Sequence, residues 1–208
     1  MNLIETLILK NGNTAEAWPV LIAAEKGTGN AQIELRIKML IYDKKYGEAL
    51  NMALRSNLTD YSIKGNKYLY LAQMCNLLND NKSSSNYIDS SIVRFNVDMA
   101  ADYNNYLVHG ALATAYAMKG DRTNADSEIE VALKLAKKNI LDELDTKVIQ
   151  AMINVILGDN GNTFTLIDDL LKGPSLFSKK LFLLDPVWRP LHSRQEYITL
   201  IKKYPEKK

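Results

Sequence analysis

The chain has 208 residues, 47% apolar and 24% charged, proportions of an ordinary globular protein that exclude a disordered tail or a membrane-embedded class. Lysine and arginine number 26 against 24 for aspartate and glutamate, and a net charge of +2 spread along the chain excludes the basic footprint of a nucleic-acid binder. The single cysteine, Cys75, excludes an internal disulfide framework and a multi-cysteine zinc site.

Met1 to Glu5 lacks the basic start and apolar run of a secretory signal, and no apolar stretch reaches membrane-spanning length. A cytoplasmic protein with no membrane partner is expected. Leu3 to Leu9 predicts one or two helical turns ending at Asn11-Gly12-Asn13. Thr14 then stands as a cap before a helix reaching about Lys26, with Pro19 in its first turn and Gly27-Thr28-Gly29 as its stop. From Asn30 to Tyr42, Ile33, Ile37, Leu40 and Ile41 recur at three- and four-residue spacing. After a break at Asp43-Lys44-Lys45 the period resumes through Ala49, Leu50, Ala53 and Leu54, which makes a helical hairpin.

A second hairpin runs from Lys64 through Tyr68, Leu71, Ala72 and Cys75, turns at Asn79-Asp80-Asn81-Lys82, and resumes through Tyr87, Ile88, Ile92 and Val93. The third spans Tyr106 to Lys138 about the turn Lys119-Gly120-Asp121. The fourth runs from Leu144 to Leu157, turns across Gly158 to Asn162, and resumes through Phe164, Ile167, Leu170 and Leu171 up to Gly173-Pro174. Nothing alternates with strand period for long, so an all-α fold is predicted. Near the C-terminus Asp185 is placed to cap and Pro186 to open a short turn, Trp188 to cover an open hairpin end, and Ser193 with Glu196 to form a capping box for a last helix.

Laid over one another, the hairpins share a small residue just after the turn. Ala49, Ser84, Ala125 and Thr163 follow each other at 35, 41 and 38 positions. Opposite them in the first helices stand Ile37, Ala72, Ala113 and Ala151. A small residue belongs where two helices cross too closely for a leucine.

This order of small, aromatic, glycine and alanine positions resembles the tetratricopeptide-repeat family, whose unit is a 34-residue helix–turn–helix. The resemblance covers about residues 30–172, with the third copy the best match. No copy carries the family's tryptophan, and Ile37 replaces the small residue of the first. The run Leu183-Leu184-Asp185-Pro186-Val187-Trp188-Arg189-Pro190-Leu191 is similar to the closing segment of such arrays at the ends of bacterial signalling proteins. The resemblance implies one domain over residues 1–208: N-terminal helices to residue 29, four hairpins stacked into a superhelix, and a capping segment over 173–208. It also implies that the chain is the C-terminal module of a longer signalling protein.

Catalytic chemistry finds little purchase. His109 and His192 lie 83 positions apart, with no second histidine or carboxylate at ligand spacing on their own helices. Gly27-Thr28-Gly29 lacks the third glycine and preceding strand of a dinucleotide loop. Asp142-Glu143 and Asp168-Asp169 are neighbours that point to different sides of a helix. No catalytic residue, cofactor or metal site is assigned.

The resemblance instead implies a partner site on the concave face, lined by the first helices. Carried over by offset, that face holds Lys38 and Tyr42, then Leu69, Gln73 and Asn76, then Leu107, Thr114 and Met118, then Met152, with Glu34, Ile41, Leu77, Ala117, Val148, Val155 and Ile156 around them. Tyr70 joins Tyr42 and Met118 in an apolar groove suited to an amphipathic helix or hydrophobic peptide. Leu69, Tyr70, Gly110 and Ala111 stand where the family's carboxylate clamp needs cations and amides, which disfavours capture of a chain terminus. A protein or peptide partner is therefore expected. The alternatives are self-association, a groove filled by Trp188 and the last helix, a small-ligand sensor or enzyme using an apolar pocket between hairpins and cap, and nucleic-acid binding by the basic tail.

Overall fold

The computed structural model of the chain describes residues 3–28, 33–173 and 177–204. Every regular element among them is helical. The chain divides into two compact units, Met1–Ala101 and Asp102–Lys208. Hairpins one and two fall in the first, and hairpins three and four in the second.

The first unit contains α1 (Leu3–Asn11), α2 (Ala17–Thr28), α3 (Ile33–Tyr42), α4 (Tyr46–Arg55), a 3-10 turn (Leu58–Asp60), α5 (Asn66–Leu77) and α6 (Asn81–Ala101). The second contains α7 (Tyr106–Lys119), α8 (Arg122–Ala136), α9 (Ile140–Ile156), α10 (Asn160–Lys172), α11 (Lys179–Leu184), a 3-10 helix (Pro186–Leu191) and α12 (Gln195–Lys203).

One turn closes all four hairpins. Lys44, Asn79, Gly120 and Gly158 each adopt positive φ, between 61° and 81°. The next residue then donates its N–H back to a carbonyl of the first helix: Lys45 to Leu40 (2.9 Å), Asp80 to Cys75 (2.8 Å), Asp121 to Tyr116 (2.9 Å) and Asp159 to Asn154 (2.8 Å). This six-to-one bond is the Schellman closure, which satisfies a carbonyl left open at the helix end. In three hairpins that next residue is an aspartate whose carboxylate accepts the N–H of Ser83, Asn124 or Asn162, so a single short stretch ends one helix and caps the next.

The same geometry brings the small residues to the crossing. Ala49, Ser84, Ala125 and Thr163 are all buried, as are Ile37, Ala72, Ala113 and Ala151 opposite them. In the second hairpin the Ser84 hydroxyl donates directly to the Ala72 carbonyl at 2.9 Å, which shows how near the two backbones lie. Ile37 is accommodated because Ala49 and Ala53 are both alanine, and all three lie in one apolar cluster. Ala113, Ala117, Ala125 and Ala132 form another with Ile129 and Ile153.

Within the second unit the hairpins lie side by side. α9 packs on both α7 and α8. Gly110 lets it approach, because a β-carbon there would stand 3.1 Å from Ile149 Cδ1. Arg122, just past one turn, donates to the Leu157 carbonyl at the next (3.1 Å). Beyond α10 the chain folds back so that Phe177, Phe182, Trp188, Leu191, Tyr197 and Leu200 pack with Ala151, Val155, Ile167, Leu170 and Leu171. Phe182 and Phe177 meet the Trp188 ring edge-on, at centroid distances of 5.3 and 5.4 Å. Asp185 caps the 3-10 helix through the Val187 N–H (3.0 Å), and Pro186 opens it.

Several sequence expectations need correction. α2 runs through Gly27 and Thr28 rather than stopping before them; Gly29 and Asn30 lie outside the described residues, as does Pro174. α9 begins at Ile140, not Leu144, because the Asn139 side chain caps it at the Leu141 N–H (2.9 Å). The fourth turn is shorter than expected, since Asp159 already caps α10 and places Gly161 inside the helix. The Ser193–Glu196 capping box does not form: Arg194 occupies the cap position of α12 without a side-chain bond. Thr14, expected as a cap, gives its hydroxyl to Asp43 instead.

Two stability changes follow. Ala125→Leu forces extra methyl and methylene groups into the third crossing and should cost about 1–3 kcal/mol, read as a lower thermal midpoint by circular dichroism. Lys44→Gly relieves the left-handed strain of a side-chain-bearing residue and should stabilise by about 1 kcal/mol, seen as a higher urea midpoint in the same assay.

Candidate functional site

The residues assigned to the partner face are not equally open. On α3, Lys38 is exposed, with its ammonium 6.0 Å from the Tyr42 ring centroid, and Tyr42 itself is buried. On α5, Leu69 is buried, Gln73 half-buried and Asn76 exposed, at a spacing that keeps the three on one face. Tyr70 is half-buried with its ring 6.3 Å from Tyr61. Glu34 is engaged, accepting from the Ser62 N–H (2.8 Å) and hydroxyl (3.0 Å).

In the second unit Leu107 is exposed and Met118 half-buried, while Thr114 is buried and returns its hydroxyl to the Gly110 carbonyl (2.9 Å). Met152 and Val148 pack against the cluster that holds Trp188 and the last helix. Lys38, Asn76 and Leu107 are therefore the open positions, with Tyr70, Gln73 and Met118 partly so. Leu69, Tyr42 and Thr114 contribute mainly to packing.

The structure also assembles polar groups that spacing along single helices did not show. His109 is buried, with Nδ1 2.6 Å from the Glu128 carboxylate on α8 and Nε2 2.8 Å from the Tyr103 carbonyl. The Tyr103 ring meets it edge-on at 5.1 Å. Both ring nitrogens are occupied by protein partners, so the imidazole is a structural cross-link between α7, α8 and the segment before α7. Nothing in the sequence marks it, because Glu128 sits 19 positions away on another helix. His192 Nε2 likewise donates to the Phe182 carbonyl (3.2 Å).

Cys75 is buried, and burial pushes its thiol up, with the Asp80 charge adding to the effect. That favours the neutral thiol over a nucleophilic thiolate. The Tyr106 hydroxyl donates to Asp142 at 3.0 Å; burial and that carboxylate push its pKa up to about 12. Among the described residues no group of three or more histidine, cysteine or acidic side chains is placed to hold a metal ion. No described helix is long and apolar enough to cross a membrane.

At the other end, Asp168 on α10 accepts from Lys172 (2.6 Å), Lys203 (2.7 Å) and the Tyr204 hydroxyl (2.6 Å). These donors hold its carboxyl well below the usual carboxylate range. Lys203, half of the basic pair in the tail, is thereby committed to tying α12 onto α10; Lys207 and Lys208 lie outside the described residues.

No protein-family model matches the chain, and no curated protein or solved structure matches it either.

The Asp168 arrangement sets a pH dependence. A carboxyl whose folded pKa is depressed contributes stability that is fully present above its unfolded value, near about 4, and is lost as pH falls through the folded value. The second unit should therefore lose urea resistance between about pH 4 and pH 2 more steeply in the wild type than in Asp168→Asn. At neutral pH the Asp168→Asn variant should be less stable by about 1 kcal/mol or less.

Proposed function

We propose that the chain is a non-enzymatic scaffold of tetratricopeptide-like hairpins that binds a peptide or helix of a protein partner on the open faces of its first helices. In this reading it is a cytoplasmic regulatory module of a larger bacterial signalling protein.

The observation that carries the reading is the backbone closure shared by the four turns, each followed five residues past its left-handed position by a buried small residue. A hairpin closed in the same way each time presents its first helix in the same way each time, and repetition of that kind builds an extended binding surface. Side-by-side packing of hairpins three and four supports it. So does the chemistry of the open positions in the first unit, where a cation at 38 and an amide at 76 offer polar contacts and the half-buried Tyr70 an apolar one.

Photo-crosslinking tests it. A benzoylphenylalanine placed at Lys38 or Asn76, on the two first helices of the first unit, should trap one and the same polypeptide in the intact protein, identified by mass spectrometry. The same probe at Ser85 or Lys134, on second helices, should not. Tyr70→Ala should weaken the capture about tenfold or more while helicity is kept. Equal trapping from the second-helix positions, or a stoichiometric small molecule in native mass spectrometry, would overturn the reading.

A further inference from the structure

Asparagine is followed by glycine at two places in the chain, Asn11-Gly12 and Asn160-Gly161. Such a pair can cyclise, because the glycine nitrogen is not shielded by a β-carbon. That nitrogen attacks the asparagine side-chain carbonyl carbon and a C–N bond forms. The side-chain nitrogen leaves as ammonia, taking the proton of the glycine N–H. Water then opens the succinimide ring at one carbonyl or the other, leaving aspartate or isoaspartate. Nothing is oxidised or reduced, and water is the one co-reactant.

The two pairs differ in what holds the attacking nitrogen. The Gly12 N–H donates to the Ile8 carbonyl at 2.8 Å, closing the end of α1, and Asn11 Nδ2 donates to the Glu16 carboxylate at 2.8 Å. Both bonds must break before nitrogen and carbonyl carbon can meet. Asn160 and Gly161 instead open α10, where the N–H groups lie ahead of the first helical turn and have no carbonyl within the helix to bond. Among the described residues the Gly161 N–H has no acceptor and the Asn160 side chain makes no hydrogen bond. Rotation about the Asn160 backbone brings the two groups together by opening only the first bond of the helix. Gly161 is exposed, so water reaches the ring once it forms.

The surroundings give the product a consequence. The Asp159 carboxylate accepts the Asn162 N–H (3.4 Å) and side-chain amide (2.8 Å), and the Asp159 carbonyl takes the Thr163 hydroxyl (2.6 Å). Asn160 lies inside the loops that these bonds close. Thr163 is the buried residue of the fourth crossing. Isoaspartate carries the backbone through the former side chain and adds one methylene to each loop, which parts Asp159 from Asn162 and shifts Thr163 out of the crossing.

We propose that Asn160 is a modification site, converted to isoaspartate and aspartate through a succinimide formed with Gly161, and that the isoaspartate form loosens the fourth hairpin. The site lies at a turn and not on the first-helix faces, so its failure leaves the scaffold reading standing.

Peptide mapping by mass spectrometry tests it, on the full chain held for days in mildly alkaline buffer. In the folded protein conversion at Asn160 should run at least about fivefold faster than at Asn11, where one more hydrogen bond has to open. In denaturing urea, where neither set of bonds survives, the two rates should agree within about twofold. A β-carbon at Gly161 meets no atom within 4 Å, so Gly161→Ala should fold as the parent does and bring conversion at Asn160 down to the Asn11 rate or below. The isoaspartate fraction, separated by ion exchange, should have a lower thermal midpoint than the parent. Asn160→Asp, which adds the charge without the methylene, should not, since a carboxylate is favourable at a helix N-terminus. Conversion at Asn11 as fast as at Asn160 in the folded chain, unchanged conversion in Gly161→Ala, or an isoaspartate fraction as stable as the parent would each overturn the proposal.

Discussion

Each hairpin depends on one backbone conformation, a residue held in the left-handed region with its successor's N–H reaching back into the helix just ended. Once that bond forms, the second helix has no freedom in where it starts. The residue five past the left-handed position must face the residue seven before it, a separation of 12 in every hairpin, as the Ser84–Ala72 bond shows directly. The small residue at the crossing is the side-chain counterpart of this backbone constraint. A turn that pulls the helices together is stable only if nothing large stands between them.

The first hairpin shows how far side chains can vary under that constraint. It has Lys44 where glycine or asparagine would be cheaper, and Lys45 where the others have an aspartate cap. It also has Ile37 at the crossing. The turn still closes at 2.9 Å, because Ala49 and Ala53 leave room for the isoleucine. What the four copies share is therefore a backbone path and a total volume at the crossing, a weaker constraint on sequence than a fixed motif.

That explains which features were legible in the chain. Helix period and turn residues are local, so the hairpins, the crossing positions and the Asp185–Pro186 start of the C-terminal 3-10 helix could be read from neighbouring residues. Helix ends were less secure where two signals competed: Ser193 had the right spacing to Glu196, but the chain leaves Leu191 in a direction that puts Arg194 at the cap. The offsets carried along the first helices name positions there but not their exposures. Leu69 and Thr114 carry the right offsets, yet burial depends on what the next element covers, and Thr114 finds a partner in its own helix.

The long-range polar contacts were the least legible and fix what the turns leave free. A turn sets the geometry inside a hairpin but not the angle at which the next element joins it. In the first unit Asp43 settles this for the N-terminal helices, taking bonds from Thr14 and Trp18 on residues 29 and 25 positions away. In the second, Tyr106 with Asp142 joins α7 to α9 across 36 positions, His109 with Glu128 joins α7 to α8, and Asp168 with Lys203 and Tyr204 closes the last helix onto α10. Apolar packing alone tolerates several nearly equivalent docking angles, whereas a partly buried carboxylate is satisfied in few. Removing one partner from such a contact should therefore cost definition of the docking angle as well as stability. A binding face assembled from more than one element needs that definition more than it needs a few tenths of a kilocalorie.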